Sequence, residues 1–219
     1  MKNIILIAAP AAGKGTEASI LKEQYSMPHI STGDILREKA SEDSDLGRDI
    51  NYKINNGQFV SDELILELLK ERITRDDCNN GYILDGFPRN VAQAEAYQEI
   101  LKETGRDLGL VIVIDIDKHL AASRIAGRLS CPKCKAVYNV NSEEKELHPI
   151  VEGICNNCGE KLVKRADDNE ETYMDRYNTY IEKTAPLIDY YEKFGVVRHV
   201  DGNRGKEYTH EQVVQILGE

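Results

Sequence analysis

The residues with the clearest chemical consequence lie near the start of the chain, in Ala8-Ala9-Pro10-Ala11-Ala12-Gly13-Lys14-Gly15-Thr16. A loop of small residues between a strand and a helix turns backbone N–H groups and a helix N-terminus toward one point, which suits a phosphate. Ala11, Ala12, Gly13 and Gly15 supply the cradle, Lys14 can reach β- and γ-phosphates, and the Thr16 hydroxyl can ligate magnesium. The pattern is that of a P-loop, except that Ala8 stands at the position of its first glycine and position 11 is also alanine. Glycine permits positive φ and close phosphate approach, so alanine costs about 1 kcal/mol or more wherever that geometry is required.

A second motif, Gly81-Tyr82-Ile83-Leu84-Asp85-Gly86-Phe87-Pro88-Arg89, puts an acid and an arginine at the end of a buried apolar run. That is the edge at which α/β proteins bind ligands. Asp85 suits a magnesium-bound water, Arg89 suits a phosphate, and Phe87-Pro88 is a candidate cis peptide. A lone Asp-Gly is ordinarily a turn; the P-loop upstream favours the functional reading. The third motif is Cys131-Pro132-Lys133-Cys134 and Cys155-Asn156-Asn157-Cys158, with 20 residues, 135 to 154, between the pairs. Four thiolates at this spacing close a tetrahedral zinc shell with no open position, so the expected metal is structural, with Lys133, Lys135 and Lys161 offsetting its negative charge. Two disulfides or a redox pair are the alternatives, and an intracellular chain disfavours them.

The elements that must position these residues alternate. Strands are expected at 4–9, 82–85, 110–116 and 196–200, with a weaker one at 28–30, and helices at 14–25, 32–39, 61–75, 91–104, 118–129, 170–194 and 209–217. This alternation predicts an α/β fold, a parallel sheet covered by helices on both faces. Residues 130–163 break the rhythm with turn-rich, polar sequence and read as a small insert. The tyrosines of the long late helix, Tyr173, Tyr177, Tyr180, Tyr190 and Tyr191, have spacings that suit core packing, and the acidic run 167–171 reads as a helix cap.

The chain has 219 residues, 41% of them hydrophobic, and a net charge of −10. That length supports one sizeable core with inserts, and that charge disfavours nucleic acid or anionic membrane as a partner. Five cysteines are too few and odd in number for a disulfide scaffold. Lys2 and the apolar stretch 4–9 imitate a secretory leader, but the stretch is short and runs straight into the P-loop, so no leader is expected and the cytoplasm is the expected compartment.

Taken together these residues resemble the adenylate kinases, of the long-lid, zinc-containing bacterial type, over nearly the whole chain. The likeness adds Ser31-Thr32-Gly33-Asp34 with Arg37, Gln93, the Arg124-to-Arg128 segment, Arg165-Ala166-Asp167-Asp168, Arg176, and the Asp201-Gly202 turn. It implies a P-loop kinase with a five-stranded parallel sheet that catalyses ATP + AMP ⇌ 2 ADP with magnesium. The implied core is 1–30, 61–126 and 169–219, the nucleoside-monophosphate insert 31–60, and the zinc-bearing lid 127–168. The implied AMP site takes Thr32, Arg37, the backbone of Gln58, Phe59 and Val60, Gly86, Phe87, Pro88, Arg89 and Gln93. Arg128 with Val137 and Tyr138 covers ATP, and Arg204 contacts its adenine through the backbone. Lys14, Arg89, Arg124, Arg128, Arg165 and Arg176, with Asp85, converge on the transferring phosphoryl group, which needs charge neutralisation more than a general base. ATP, AMP and ADP are the expected partners, and a monomer is expected. One rival is a UMP/CMP or GMP kinase, since Asn90 after Arg89 resembles the pyrimidine enzymes. Another is a nucleotide-switched zinc-ribbon binding module, which the acidic charge disfavours.

Overall fold

In chain order, β1 (Ile4–Ala8) leads into α1 (Lys14–Tyr25), and β2 (His29–Ser31) into α2 (Thr32–Ala40) and α3 (Asp45–Asn55). Next come α4 (Asp62–Ile73), a 3-10 turn (Asp76–Cys78), β3 (Ile83–Asp85), α5 (Val91–Thr104), β4 (Leu110–Asp115) and α6 (Lys118–Ala126). The short strands β5 (Arg128–Ser130) and β6 (Val137–Asn139) and a 3-10 turn (Lys145–Leu147) follow. The chain closes with α7 (Glu170–Thr179), a π turn (Tyr180–Thr184), α8 (Pro186–Glu192), β7 (Val197–Asp201) and α9 (Lys206–Leu217). The structure, a computed structural model, describes residues 2–55, 60–134, 136–164 and 168–218.

The sheet order β2-β3-β1-β4-β7 is that of a parallel α/β fold, as the alternation predicts. Ile4 to Ile7 and Val111 to Ile114 are buried throughout, because helices cover both faces and leave no solvent side for alternation. Parallel pairing sets Leu6 level with Asp85, and Ser31 level with Asp85 on the other flank. Asp85 and the start of α2 therefore leave the sheet at one edge, the carboxyl end, where ligands of such folds bind. Gly109 makes the entry to β4 possible: its φ is +81°, and a Cβ there would lie 2.0 Å from the Asn3 carbonyl oxygen.

Local signals explain most boundaries. Ser61 accepts from Leu64 N–H at the start of α4, and Gly105, at φ +63°, closes α5. Three expectations need correction. The helix expected to run to 129 ends at Ala126, because Arg128–Ser130 pairs antiparallel with Val137–Asn139. The helix expected over 170–194 is broken by the π turn before Pro186, whose missing N–H and ring cannot continue the helical ladder. The final helix begins at Lys206, three residues before its expected start at 209.

Two compact units divide the chain. The first comprises Met1–Ile7, Glu17–Val113 and Lys183–Arg198. Its core includes Leu69, Tyr82, Tyr97, Leu187 and Tyr191, all fully buried. Phe87 packs edge-on against Tyr97 at 5.8 Å, and the hydroxyls of Tyr82 and Tyr97 share a buried hydrogen bond of 2.7 Å. The second comprises Ala8–Thr16, Ile114–Glu182 and His199–Glu219. Among its described residues, Ala121, Ile125 and Tyr173 form one small core, and Cys131, Tyr138, Cys155 and Leu162 form another.

Candidate active site

The small-residue loop opens where β1 stops. Ala8 is a buried strand residue without positive φ, so the missing first glycine costs no left-handed geometry. Ala11 is different: its φ is +65°, one of two positive values at non-glycine residues among those described. Its side chain packs on the cluster of Ala121, Ile125 and Tyr173. Gly13 has φ +97°, and a Cβ there would meet nothing within 4 Å, so glycine serves conformation rather than space. Ala12 N–H donates to Ala9 O at 3.2 Å and Thr16 N–H to Gly13 O at 2.9 Å, which starts α1 at Lys14. Gly13 and Gly15 are exposed at the helix N-terminus, where an anion is favoured.

At the carboxyl edge of the first unit, Thr32 opens α2 and donates through Oγ1 to Gly86 O at 3.3 Å. Arg89 Nε donates to the same carbonyl at 2.9 Å, and Thr184 Oγ1 donates to Arg89 O at 2.9 Å. Gly86 has φ +77°, and a Cβ there would lie 3.6 Å from Arg89 Nη2 and 3.7 Å from Thr32 Oγ1. The Phe87-Pro88 peptide is cis. His29 Nε2 donates to Asp85 Oδ2 at 3.1 Å. Gln93 is 5% exposed: its Oε1 accepts from Arg89 N–H at 2.7 Å and its Nε2 donates to Asp62 Oδ1 at 2.7 Å. Asn90, noted for its pyrimidine-enzyme likeness, accepts from Gln93 N–H and caps α5. Thr32 also borders an apolar cleft with Ile35, Leu36, Ile65 and Leu68. Arg37 lies over Gly33, where a Cβ would stand 3.2 Å from Nη1.

In the second unit Arg124 and Arg128 flank Gly127, where a Cβ would collide with Asn139 Oδ1 at 2.4 Å. Asn139 Nδ2 donates to Arg124 O at 3.0 Å and Asn141 Nδ2 to Ser123 O at 3.1 Å. These two amides thus satisfy carbonyls that the end of α6 leaves open. Burial lowers the pKa of Arg124, while Glu144 and Asp201 oppose the shift. Among the described residues no hydrogen bond holds the Arg124 guanidinium, a group suited to an arriving anion. Arg128 instead forms a two-pronged pair with Asp168, which is 1% exposed; Nε donates to Oδ2 at 2.8 Å and Nη2 donates to Oδ1. Arg204 stacks on Tyr208, its Cζ 3.8 Å from the ring centroid, and Arg176 lies in the last turn of α7.

The four cysteines of the two pairs meet, their Sγ atoms all within 4.8 Å of one another. Cys131 lies 3.5 Å from Cys158 and Cys134 3.4 Å from Cys155, and none is in a disulfide. A tetrahedral metal with sulfur bonds of about 2.3 Å sets its sulfurs about 3.8 Å apart, so the cluster fits. Tyr138 accepts from Asn156 N–H at 2.8 Å and donates to Cys155 Sγ at 3.4 Å, which holds that thiol below its usual range, at about 6. Lys133 is exposed nearby in sequence, as is Lys161. The fifth cysteine, Cys78, is fully buried, and burial raises its pKa. Magnesium takes oxygen donors. The Thr16 hydroxyl and the Asp85 carboxylate are of that kind.

Several expected site residues are thus brought together: Thr32, Gly86, Arg89 and Gln93 in one unit, and the P-loop in the other. Val60 is half-buried just before α4, while Gln58, Phe59 and Arg165 lie outside the described residues, as does Lys135. Val137 is 41% exposed, but the Tyr138 ring is 4% exposed inside the cysteine core, so a nucleotide can meet Tyr138 only through its backbone. The acidic run divides its duties: Asn169 caps α7 by accepting from Thr172 N–H at 3.0 Å, and Asp168 pairs with Arg128. His29, Asp62, Asn139 and Asn141 are not legible in the sequence as site residues; Asp168 stands there in the Arg165-to-Asp168 motif and the acidic run, but its pairing with Arg128 is not legible. Asp62, opening a helix ahead of Gln93, has a local signal for its place but not for its partner. Among the described residues, no helix is long and apolar enough to cross a membrane.

A sequence model of the family described as adenylate kinase matches residues 6–196. An adenylate kinase of Clostridium tetani (strain Massachusetts / E88) is 43% identical over 99% of this chain and 98% of its own length. One of Syntrophomonas wolfei subsp. wolfei (strain DSM 2245B / Goettingen) is 45% identical over 93% of each chain. One of Clostridioides difficile (strain 630) is 44% identical over 98% of each.

Proposed function

The chain belongs to the adenylate kinase family and moves a phosphoryl group between ATP and AMP, and from that premise we propose how its own residues do so. Residues 1–30, 61–126 and 169–219 form the working core, 31–60 the AMP-binding insert, and 127–168 the lid. The backbone of Ala11, Ala12, Gly13 and Gly15 holds the ATP phosphates, with Lys14 on the β- and γ-groups. Magnesium brought with ATP would supply neutralisation of the phosphate charge; the Thr16 hydroxyl would ligate it, and the Asp85 carboxylate suits a water of its shell. His29, at 3.1 Å, keeps the Asp85 carboxylate from turning away.

On the acceptor side, Arg37 and Arg89 take the AMP phosphate, and Thr32, Gly86, Phe87, Pro88 and the Gln58-to-Val60 backbone shape the pocket. Gln93 reads the adenine edge. Arg124, Arg128, Arg165 and Arg176 neutralise the charge that spreads over the phosphoryl oxygens in transfer, which makes a general base unnecessary. Val137, the Tyr138 backbone and Arg204 cover the ATP base. The four-cysteine cluster holds a structural zinc whose binding energy serves as folding energy for the lid. Closure of that lid over the reactants excludes water and prevents loss of the phosphoryl group to hydrolysis. The net charge of −10 supports small nucleotides rather than nucleic acid as partners, and we take the enzyme to act as a cytoplasmic monomer.

The observation that carries this reading is the family match running from the P-loop strand to residue 196. A coupled assay for diphosphate formation from MgATP, with AMP, CMP, UMP and GMP offered as acceptors, tests it. AMP is expected to be used with the highest kcat/KM by a wide margin. Faster turnover of any other monophosphate sinks the adenylate assignment in favour of a different nucleoside monophosphate kinase.

A further inference from the structure

The Gln93 side chain is clamped from both ends. Its Oε1 accepts from the Arg89 N–H and its Nε2 donates to Asp62 Oδ1, each at 2.7 Å, within a residue 5% exposed. A peptide N–H only donates and a carboxylate only accepts. Turning the amide over would set donor against donor at Arg89 and acceptor against acceptor at Asp62, leaving the buried Gln93 amide with unmatched polar atoms, which are costly even though Asp62 and Arg89 are themselves exposed. The backbone of Gln93 is held as well, since its own N–H is taken by Asn90 Oδ1 at 2.8 Å. The amide thus has one allowed face. One N–H remains on the Asp62 side and one oxygen lone pair on the Arg89 side.

We propose that Asp62 is a specificity-determining positioning residue, which makes the site select a 6-amino purine over a 6-oxo purine. The inference rests on the assignment of Gln93 to the adenine edge. A locked amide offers its donor and acceptor in a fixed spatial order. Adenine, with an amino group at C6 and an acceptor at N1, matches one order, and hypoxanthine, with O6 and N1–H, presents the reverse on a ring of the same shape. An amide free to flip accepts both. Asp62 never touches the nucleotide in this scheme; it acts through Gln93.

The probe pair is AMP and IMP, used as acceptors with saturating MgATP. Asp62→Asn introduces an amide that can present either oxygen or nitrogen to Gln93 and so releases the lock. The ratio of kcat/KM for AMP to that for IMP is expected to fall roughly ten- to hundredfold, the worth of one bidentate base contact. Asp62→Ser, whose hydroxyl also donates or accepts, is expected to lower the ratio similarly and keeps the test open if Asp62→Asn folds poorly. Asp62→Glu, acceptor-only, is expected to restore most of it, and KM for ATP is expected to stay constant throughout. Equal loss with both acceptors means a purely structural role and overturns the proposal. So does an unchanged ratio in Asp62→Asn. Gln93→Leu separates the two readings: if it collapses the ratio while Asp62→Asn does not, the adenine assignment stands and the lock falls. If Gln93→Leu leaves the ratio intact, both fall.

Discussion

A methyl group in left-handed backbone costs an alanine roughly 1–2 kcal/mol, and Ala11 bears that cost inside the phosphate loop at φ +65°. Two effects oppose its replacement by glycine. Glycine loses roughly 0.4–1 kcal/mol through the freer unfolded chain. The half-buried methyl, packed near Ile125 and Tyr173, contributes part of the roughly 0.8 kcal/mol of a buried carbon. These nearly cancel, so Ala11→Gly is expected to change unfolding free energy by less than about 0.5 kcal/mol in urea titration. A shift beyond about 1.5 kcal/mol in either direction refutes that balance. At this scale the sequence discloses a residue's type but not its partner. Lys14, Asp85 and Arg89 are legible because their neighbours in sequence supply the context. The partners of His29, Asp62 and Asp168 are not, because each acts on a residue far along the chain, 56, 31 and 40 positions away.

Among the described residues, the buried core of the cysteine-bearing element is Cys131, Tyr138, Cys155 and Leu162, with Leu129, Ala136 and Cys158 packed against it, and two of the four buried ones are metal-ligand candidates. So small an apolar interior cannot offset the conformational entropy of the segment, and the metal is expected to supply the difference. Elemental analysis of protein purified without chelator is expected to find one zinc per chain. Its removal is expected to expose residues 128–163 to limited proteolysis while the sheet persists by circular dichroism. Unchanged protection of that segment after complete stripping contradicts the metal's structural role. The cysteine spacing makes this element visible in advance, but its junction with α6 is not. Apolar periodicity carries on through residues 127–129, and only the tertiary pairing of Arg128–Ser130 with Val137–Asn139 overrides it. Pro186, by contrast, is a local stop signal that outranks the tyrosine periodicity on either side of it.

For the molecule as a whole, the sheet is readable from its alternating runs and the core packing of Tyr191 from its spacing, whereas Tyr82 and Tyr97 reveal themselves only by burial. Tyr82 has its pKa pushed by burial from 10.0 to about 12, and burial also raises Tyr97 and Tyr191 above the usual phenol value. Each folded value exceeds the unfolded one, so the fold favours the neutral phenol. Stability is complete below pH 10 and is lost as pH rises through 12. Alkaline titration is expected to show phenolate absorbance from these residues appearing together with loss of ellipticity. Early ionisation of all eleven tyrosines near pH 10 with the fold intact contradicts this.

The Arg128–Asp168 pair carries one more consequence. If Arg128 takes the nucleotide as proposed, it already has a resident counter-ion in Asp168, so phosphate would arrive as a displacing anion in an exchange rather than an addition. The carboxylate it displaces is buried and cannot stay charged there alone. Asp168 must then move toward solvent or find another cation. Occupancy of that site would in this way be tied to the position of Asp168, at the end of the proposed lid.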